Sequence, residues 1–243
     1  MATFVLVHGA FHGAWCWVRL TPALEALGHR AVTLDLPSLG DDQTPIADVT
    51  LESWIERTVA VVEGEAEPVI LVGHSMAGIV IAGAAELVPE RIRLLVYLAA
   101  FLPRDGDSIR SLSASPAARQ ETGPPAFARS LDGLSFSAIA ERAPAVLYST
   151  SPAADIAHAM PKLRPQAYSV QRAPVALSEG RYGSVPRAYI ECRGDNTVSL
   201  GLQRDMVAKA GVREVVSLAT DHSPFFSAPE LLAGELSRLA SAG

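Results

Sequence analysis

Apolar residues follow two rhythms along this chain, and the rhythms alternate. Short runs such as Phe4-Val5-Leu6-Val7, Val69-Ile70-Leu71-Val72 and the stretch over residues 92–99, interrupted only at Arg93, show no polar alternation. They predict strands covered on both faces. Between them apolar residues recur every three or four positions, as in Trp17, Leu20, Leu24 and Leu27, or Leu51, Trp54, Ile55, Val59 and Val62. That spacing lays one apolar stripe along a helix. Gly28 offers the first of these helices a left-handed stop.

Carried through the chain, the pattern predicts strands over residues 4–7, 30–36, 68–72, 92–99, 185–192 and 213–218. Further helices cover residues 79–87, rich in alanine and glycine, and 203–210, closed by Gly211. A last helix carries Leu232, Leu236 and Leu239, with Ser227-Ala228-Pro229-Glu230 ahead of it as a capping box with an early proline. Parallel neighbours need long crossovers, so this alternation predicts an α/β fold: a mostly parallel sheet with helices on both faces and right-handed connections.

The rhythm breaks over residues 103–183, a stretch rich in Ser, Ala and Pro, with Pro116, Pro124-Pro125, Pro144, Pro152, Pro161, Pro165 and Pro174. A structureless loop of that length is improbable inside a compact domain. Phe127, Leu131, Phe136, Ile139, Val146, Leu147 and Tyr148 give the stretch apolar material to bury. It reads as an inserted cap made mainly of short helices, the alternative being a disordered linker.

Composition narrows the function without naming it. A chain of 243 residues, 49% hydrophobic and 19% charged, can bury a substantial core, and one domain over residues 1–243 is expected. A net charge of -6 with no run of lysines or arginines argues against a nucleic-acid surface. Cys16 and Cys192 have neither metal-ligand nor C-x-x-C spacing and read as buried free thiols. The N-terminus lacks the parts of a signal peptide, and no apolar stretch is long enough for a membrane span. A cytoplasmic location without membrane contact is the expectation.

The chemistry gathers at Gly73-His74-Ser75-Met76-Ala77-Gly78, where a buried strand runs through a serine between small residues into a helix. In a nucleophile elbow the serine sits on such a strained turn, with the pattern G-x-S-x-G. Here the pattern is G-x-S-x-A. A serine hydroxyl needs a base to take its proton, and the base needs a carboxylate to orient it. Arg193-Gly194-Asp195-Asn196 follows the penultimate strand and Thr220-Asp221-His222-Ser223-Pro224 follows the last. The order Ser75, Asp195, His222 is that of the α/β-hydrolase arrangement.

Other residues compete. Asp105 and Asp107 follow the strand ending at Ala99 and offer alternative carboxylates, Asp221 is badly placed to receive the ring next to it, and Asp35 reads as a loop anchor. His74 reads as packing or a local hydrogen bond, while His29 and His158 lie away from the expected strand ends. A tetrahedral intermediate needs two donors for its oxyanion. The N–H of Met76 and that of Ala10, in the His8-Gly9-Ala10 loop, are the candidates, and His8 and His12 are expected to brace that loop.

With these residues assembled, the chain resembles the α/β-hydrolase superfamily, and within it the branch of plant methyl esterases, hydroxynitrile lyases and bacterial esterases. The resemblance runs over nearly the whole chain. It is most specific at residues 4–17 (FVLVHGAFHGAWCW), Gly28-His29-Arg30, Gly73-His74-Ser75-Met76, residues 97–103 (YLAAFLP) and Asp221-His222-Ser223-Pro224. It implies six parallel strands under a helical cap, Ser75, Asp195 and His222 as triad, Ala10 and Met76 as oxyanion donors, no cofactor and no metal. Members of the branch often dimerise, so the resemblance also allows a homodimer.

The departures choose between chemistries. The lyases place threonine where this chain has Gly9, and lysine where it has Ser223. That lysine's charge stabilises departing cyanide, so its loss favours an esterase acting on a small, largely apolar ester. Lyase-type C–C cleavage and a low-turnover binding protein remain the alternatives. Phe11, Phe127, Phe136, Tyr148 and Met160 are the candidate pocket residues.

Overall fold

The computed structural model describes residues 1–118 and 125–242, so that Pro124 of the proline-rich stretch lies outside the described residues. From the N-terminus the order is β1 (Thr3–Val7), α1 (Leu20–Ala26), β2 (Arg30–Thr33), α2 (Leu51–Glu63), β3 (Val69–His74), α3 (Ala77–Leu87) and β4 (Ile92–Leu98). The insertion that follows β4 contains α4 (Ile109–Ser113), β5 (Phe127–Arg129), β6 (Ser135–Ala138), α5 (Ala143–Leu147), α6 (Ala153–Ala159), β7 (Gln166–Ala167) and α7 (Ser169–Arg172). The chain then closes with β8 (Arg187–Cys192), α8 (Leu200–Ala210), β9 (Glu214–Leu218), α9 (Pro224–Ser227) and α10 (Pro229–Ala242).

Six strands form one sheet in the order β2-β1-β3-β4-β8-β9. Every neighbouring pair is parallel. The continuous apolar runs are explained by the two cores. Phe4, Leu6, Ile70 and Val72 point to one face, against Trp17, Leu20, Leu24, Leu232 and Leu236. Val5, Val7, Val69 and Leu71 point to the other, against Trp54, Val62, Ile79 and Met206. Each strand residue therefore has an apolar side to fill, whichever way the pleat turns it. Cys16 and Cys192 are buried free thiols.

Five local expectations change. Trp17 belongs to a separate short helical turn, Ala14–Val18, ahead of α1, and β2 ends at Thr33. The serine of the expected capping box does not cap α10. Ser227 ends α9, and its hydroxyl donates to Asp221 Oδ1 at 2.8 Å. The insertion has its four short helices, but it also holds a three-stranded antiparallel sheet in the order β5-β6-β7. Leu131, expected among the buried residues, is fully exposed at the tip of the β5–β6 turn.

The topology positions the site. From β1 the chain moves outward to β2, then crosses to the other side of β1 to place β3. Loops leaving β1 and β3 at such a switch point diverge above the sheet and open a crevice at the strands' C-terminal ends. The insertion closes over that crevice: Arg164 Nη1–H donates to the carbonyls of Gly40 (2.9 Å) and Asp42 (2.6 Å), and Arg19 pairs with Asp155 at 3.0 Å.

Candidate active site

Ser75 joins β3 to α3 with a φ of 55°. A left-handed conformation costs a non-glycine residue on the order of 1–3 kcal/mol, so packing must hold it. Strand and helix approach so closely that a Cβ on Gly73 would lie 2.9 Å from the Ala77 carbonyl oxygen, and one on Gly78 only 1.9 Å from that of Phe101. The Ser75 N–H donates to Leu98 O (3.1 Å), and the Phe101 N–H donates to Ser75 O (3.0 Å). Ala77 fits, fully buried at the first position of α3. The contact that forbids a side chain falls one residue later, at Gly78.

Register brings the other residues to this serine. β8 and β9 run side by side, with Cys192 opposite Leu218, and each is followed within a few residues by a polar side chain of the site, Asp195 after β8 and His222 after β9. His222 Nε2 lies 2.9 Å from Ser75 Oγ, and His222 Nδ1 lies 2.7 Å from Asp195 Oδ2. A carboxylate only accepts, so Nδ1 carries the hydrogen and the Nε2 lone pair is left for the serine hydroxyl. Asp195 Oδ1 accepts from the N–H groups of Thr197 (2.7 Å) and Val198 (2.9 Å), which fixes the carboxylate's plane. All three side chains are buried.

The competing carboxylates are occupied elsewhere. Asp105 accepts from the Leu177 N–H (2.9 Å) and Asp107 from that of Arg104 (3.0 Å). Asp35 accepts from the N–H groups of Ala14 (2.6 Å) and Asp41 (3.0 Å), an anchor between two loops. His74 Nε2–H donates to the His222 carbonyl at 2.8 Å, so it holds the main chain of the residue that faces Ser75. Burial, reinforced by the neighbouring imidazoles, keeps the His74 pKa well below the ordinary value.

The His8–His12 loop leaves β1 beside Ser75 because β1 pairs with β3, Val7 opposite Gly73. Its carbonyls are held one by one. His8 Nδ1–H donates to Gly9 O (2.9 Å), His12 Nδ1–H to Ala10 O (2.6 Å), and the Arg164 N–H to Phe11 O (2.9 Å). The peptide unit is planar, so fixing the Gly9 oxygen also aims the Ala10 N–H. The outer ring nitrogens are satisfied too: His8 Nε2 accepts from the Leu36 N–H (3.2 Å) and His12 Nε2 from the Tyr148 hydroxyl (2.6 Å). Burial pushes the His8 pKa down to about 4 and that of His12 to about 3, so both rings are neutral near pH 7. Among the described residues, the N–H groups of Ala10 and Met76 have no protein acceptor. Both residues line the cavity at Ser75.

That cavity encloses about 120 Å³. For scale, an engineered apolar cavity of about 150 Å³ in another protein takes a benzene molecule. Phe11, Phe127 and Phe136 form its aromatic wall, Phe11 stacking on Phe127 (5.0 Å between ring centres) and meeting Phe136 edge-on (4.9 Å). Tyr148 and Met160 are absent from the wall. Tyr148 stands behind His12, its hydroxyl spent on Nε2, and Met160 is partly buried against one of the two apolar cores. The remaining wall comes from residues that were not among the candidate pocket residues: Phe101, Ile109, Leu147 and, as polar groups, Ser113, Gln171 and Thr197.

Among the described residues no lysine or arginine lines the cavity, and no three His, Cys, Asp or Glu side chains converge to hold a metal ion. A Cβ on Gly9 would lie 2.9 Å from both Ser75 Cβ and His74 Nδ1, so a threonine there would displace the serine. Ser223 is fully buried, its N–H donating to Asp221.

A parallel sheet in this order, a strained serine on the turn after β3 and a capping insertion after β4 define the class. The chain belongs to the α/β-hydrolase family, whose description matches residues 4–235. Among curated relatives it is similar to Methylesterase 2 of Arabidopsis thaliana, 36% identical over 250 residues that cover 98% of this chain and 95% of that protein. Among solved structures it is similar to a variant of tomato methylketone synthase I complexed with beta-ketoheptanoate (TM-score 0.88, 26% identity, 99% of this chain and 98% of that one). A pyrethroid hydrolase from Sphingobium faniae JZ-2 superposes nearly as well (TM-score 0.85, 26% identity, 99% and 98%).

Proposed function

We propose that this protein is a serine esterase that cleaves a small, largely apolar carboxylic ester through an acyl-enzyme. The supporting observation is the chain Ser75–His222–Asp195, with contacts of 2.9 and 2.7 Å, facing two unused backbone N–H groups. In this reading His222 takes the Ser75 proton as Oγ attacks the ester carbonyl, and Asp195 steadies the imidazolium that forms. The carbonyl oxygen becomes an oxyanion between the Ala10 and Met76 N–H groups, where donors already in place stabilise the new charge without reorganising. Collapse expels the alcohol, which receives the proton from His222. Water then repeats the sequence on the acyl-Ser75 and restores the enzyme.

The reading calls for no cofactor, because nucleophile, base and oxyanion donors are all groups of the chain. Ester hydrolysis agrees with the methylesterase relatives, and the aromatic wall with an apolar acyl or alcohol group. Cyanohydrin cleavage has no cation at hand: Ser223 is neutral and buried, and the described wall holds no lysine or arginine.

Ser75→Ala tests the proposal. Turnover of activated aryl esters should fall by on the order of 10⁴–10⁶, and labelling by a fluorophosphonate should disappear. A folded Ser75→Ala protein hydrolysing such esters at the parent rate would falsify it. A parent protein inert to the fluorophosphonate would favour a binding role instead.

A further inference from the structure

Asp221 is fully buried, and among the described residues it forms no ion pair. A carboxylate taken out of water is costly unless donors replace the solvent. Here four do. Oδ2 accepts from the Thr150 N–H (2.9 Å) and the Ser151 hydroxyl (2.9 Å). Oδ1 accepts from the Ser223 N–H (3.1 Å) and the Ser227 hydroxyl (2.8 Å). One oxygen therefore holds the cap and the other holds the segment that carries His222.

The same cap turn, residues 145–151, is tied to the other two loops of the site. Asn196 Nδ2–H donates to Ala145 O (3.1 Å) and the Thr197 hydroxyl to Val146 O (3.0 Å), from the loop that bears Asp195. The Tyr148 hydroxyl donates to His12, on the loop that bears Ala10. Leu147, within the turn, is part of the cavity wall. One turn of the cap thus meets the His222, Asp195 and Ala10 loops together, and Asp221 supplies the only charged group among those ties.

We propose that Asp221 is a positioning residue for the reaction above, seating cap turn 145–151 on the His222 loop and so setting the imidazole and the Leu147 wall against Ser75. The inference rests on the Ser75–His222–Asp195 reading. Asp221 itself touches neither the serine nor the ester; it acts through the main chain of its neighbour and through the cap.

Asp221→Asn makes the test sharp. The amide keeps one accepting oxygen but sets an NH₂ group against the other pair of donors. A hydroxyl can turn to accept from it, while the backbone N–H of Thr150 or Ser223 cannot. In protein whose circular dichroism is unchanged at the assay temperature, the second-order rate of Ser75 labelling by a fluorophosphonate should fall about tenfold, less than the roughly 10²-fold of a 1 Å misplacement. kcat should fall with it. Ser151→Ala, which removes a single tie, should slow labelling about threefold, and Ser151→Thr should return it to within about twofold of the parent, since one hydrogen bond is a modest net contribution and three donors to Asp221 remain. If Asp221→Asn loses its fold, the two Ser151 variants decide alone.

A role confined to stability would lower the melting temperature and leave the labelling rate of folded protein untouched. Parent-like rates in folded Asp221→Asn and Ser151→Ala would overturn the inference. Ser75→Ala, run beside them, separates the two readings: loss of labelling there with unchanged rates in the others retires the role of Asp221 alone.

Discussion

Ser75 is held at a φ of 55° by neighbours that have no room to let it relax. The glycine requirement at this turn is set by two carbonyl oxygens, those of Ala77 and Phe101, which approach Gly73 and Gly78 respectively. Ala77 lies outside both contacts, which is why G-x-S-x-A still makes the turn. Restoring the familiar pattern with Ala77→Gly should leave kcat within about twofold and lower stability by about 0.5–1 kcal/mol, the helical cost of glycine. Gly78→Ala should do the reverse of harmless. Its Cβ would sit 1.9 Å from the Phe101 oxygen, so the helix must shift, at about 1–3 kcal/mol and with Ser75 displaced. Urea denaturation and ester turnover, measured on both variants, distinguish the two positions.

At the scale of elements, the cap supplies the wall and the sheet supplies the chemistry. Phe127 and Phe136 reach the cavity from β5 and β6, paired so that Phe127 faces Ala138 and Phe136 faces Arg129. These strands are three and four residues long, too short for alternation to register in the sequence. The turn between them did carry a signal, Asp132-Gly133 with Gly133 at φ 73°, a hairpin pair by its composition. Removing the ring in Phe127→Ala enlarges the cavity. The ratio of kcat/KM for a bulky acyl ester over the acetate should rise at least about tenfold, the lower end of what a methylene-sized change in a pocket is worth. An unchanged ratio across an ester panel would place the acyl group on another wall.

Three of the buried histidines around the crevice, His8, His12 and His74, are held neutral by burial, and this makes the stability of the whole molecule depend on acid. Burial holds His8 at about 4 and His12 at about 3, with His74 well below the ordinary value. In the unfolded chain the same groups titrate near 6.5. Between these values the unfolded state binds more protons, so the stabilisation is complete above pH 6.5 and is lost as the pH falls toward 4. The urea midpoint should therefore be lower at pH 5 than at pH 7, before most carboxylates protonate. A midpoint flat over that interval would mean that the three rings accept protons without unfolding.

The sequence by itself determined the sheet and the candidate residues on its strand ends. Continuous apolar runs can be buried only on two faces, and the spacing of Leu20, Leu24, Leu51 and Val62 leaves helices as their cover. Ser75, Asp195 and His222 were legible because each follows a stretch that reads as a strand, so chain order alone implied strand-end loops. What lay beyond sequence reading was everything that depends on distance across the fold. The serine of Ser227-Ala228-Pro229-Glu230 reads as a helix cap until Asp221 stands 2.8 Å from its hydroxyl. Tyr148 reads as a pocket ring until His12 claims its hydroxyl, and Leu147, its neighbour, takes the place on the wall. Short cap elements have no period to reveal which side faces inward, and hydrogen bonds between residues 70 or 136 positions apart leave no local pattern. Only the packed chain decides which polar groups share one buried space.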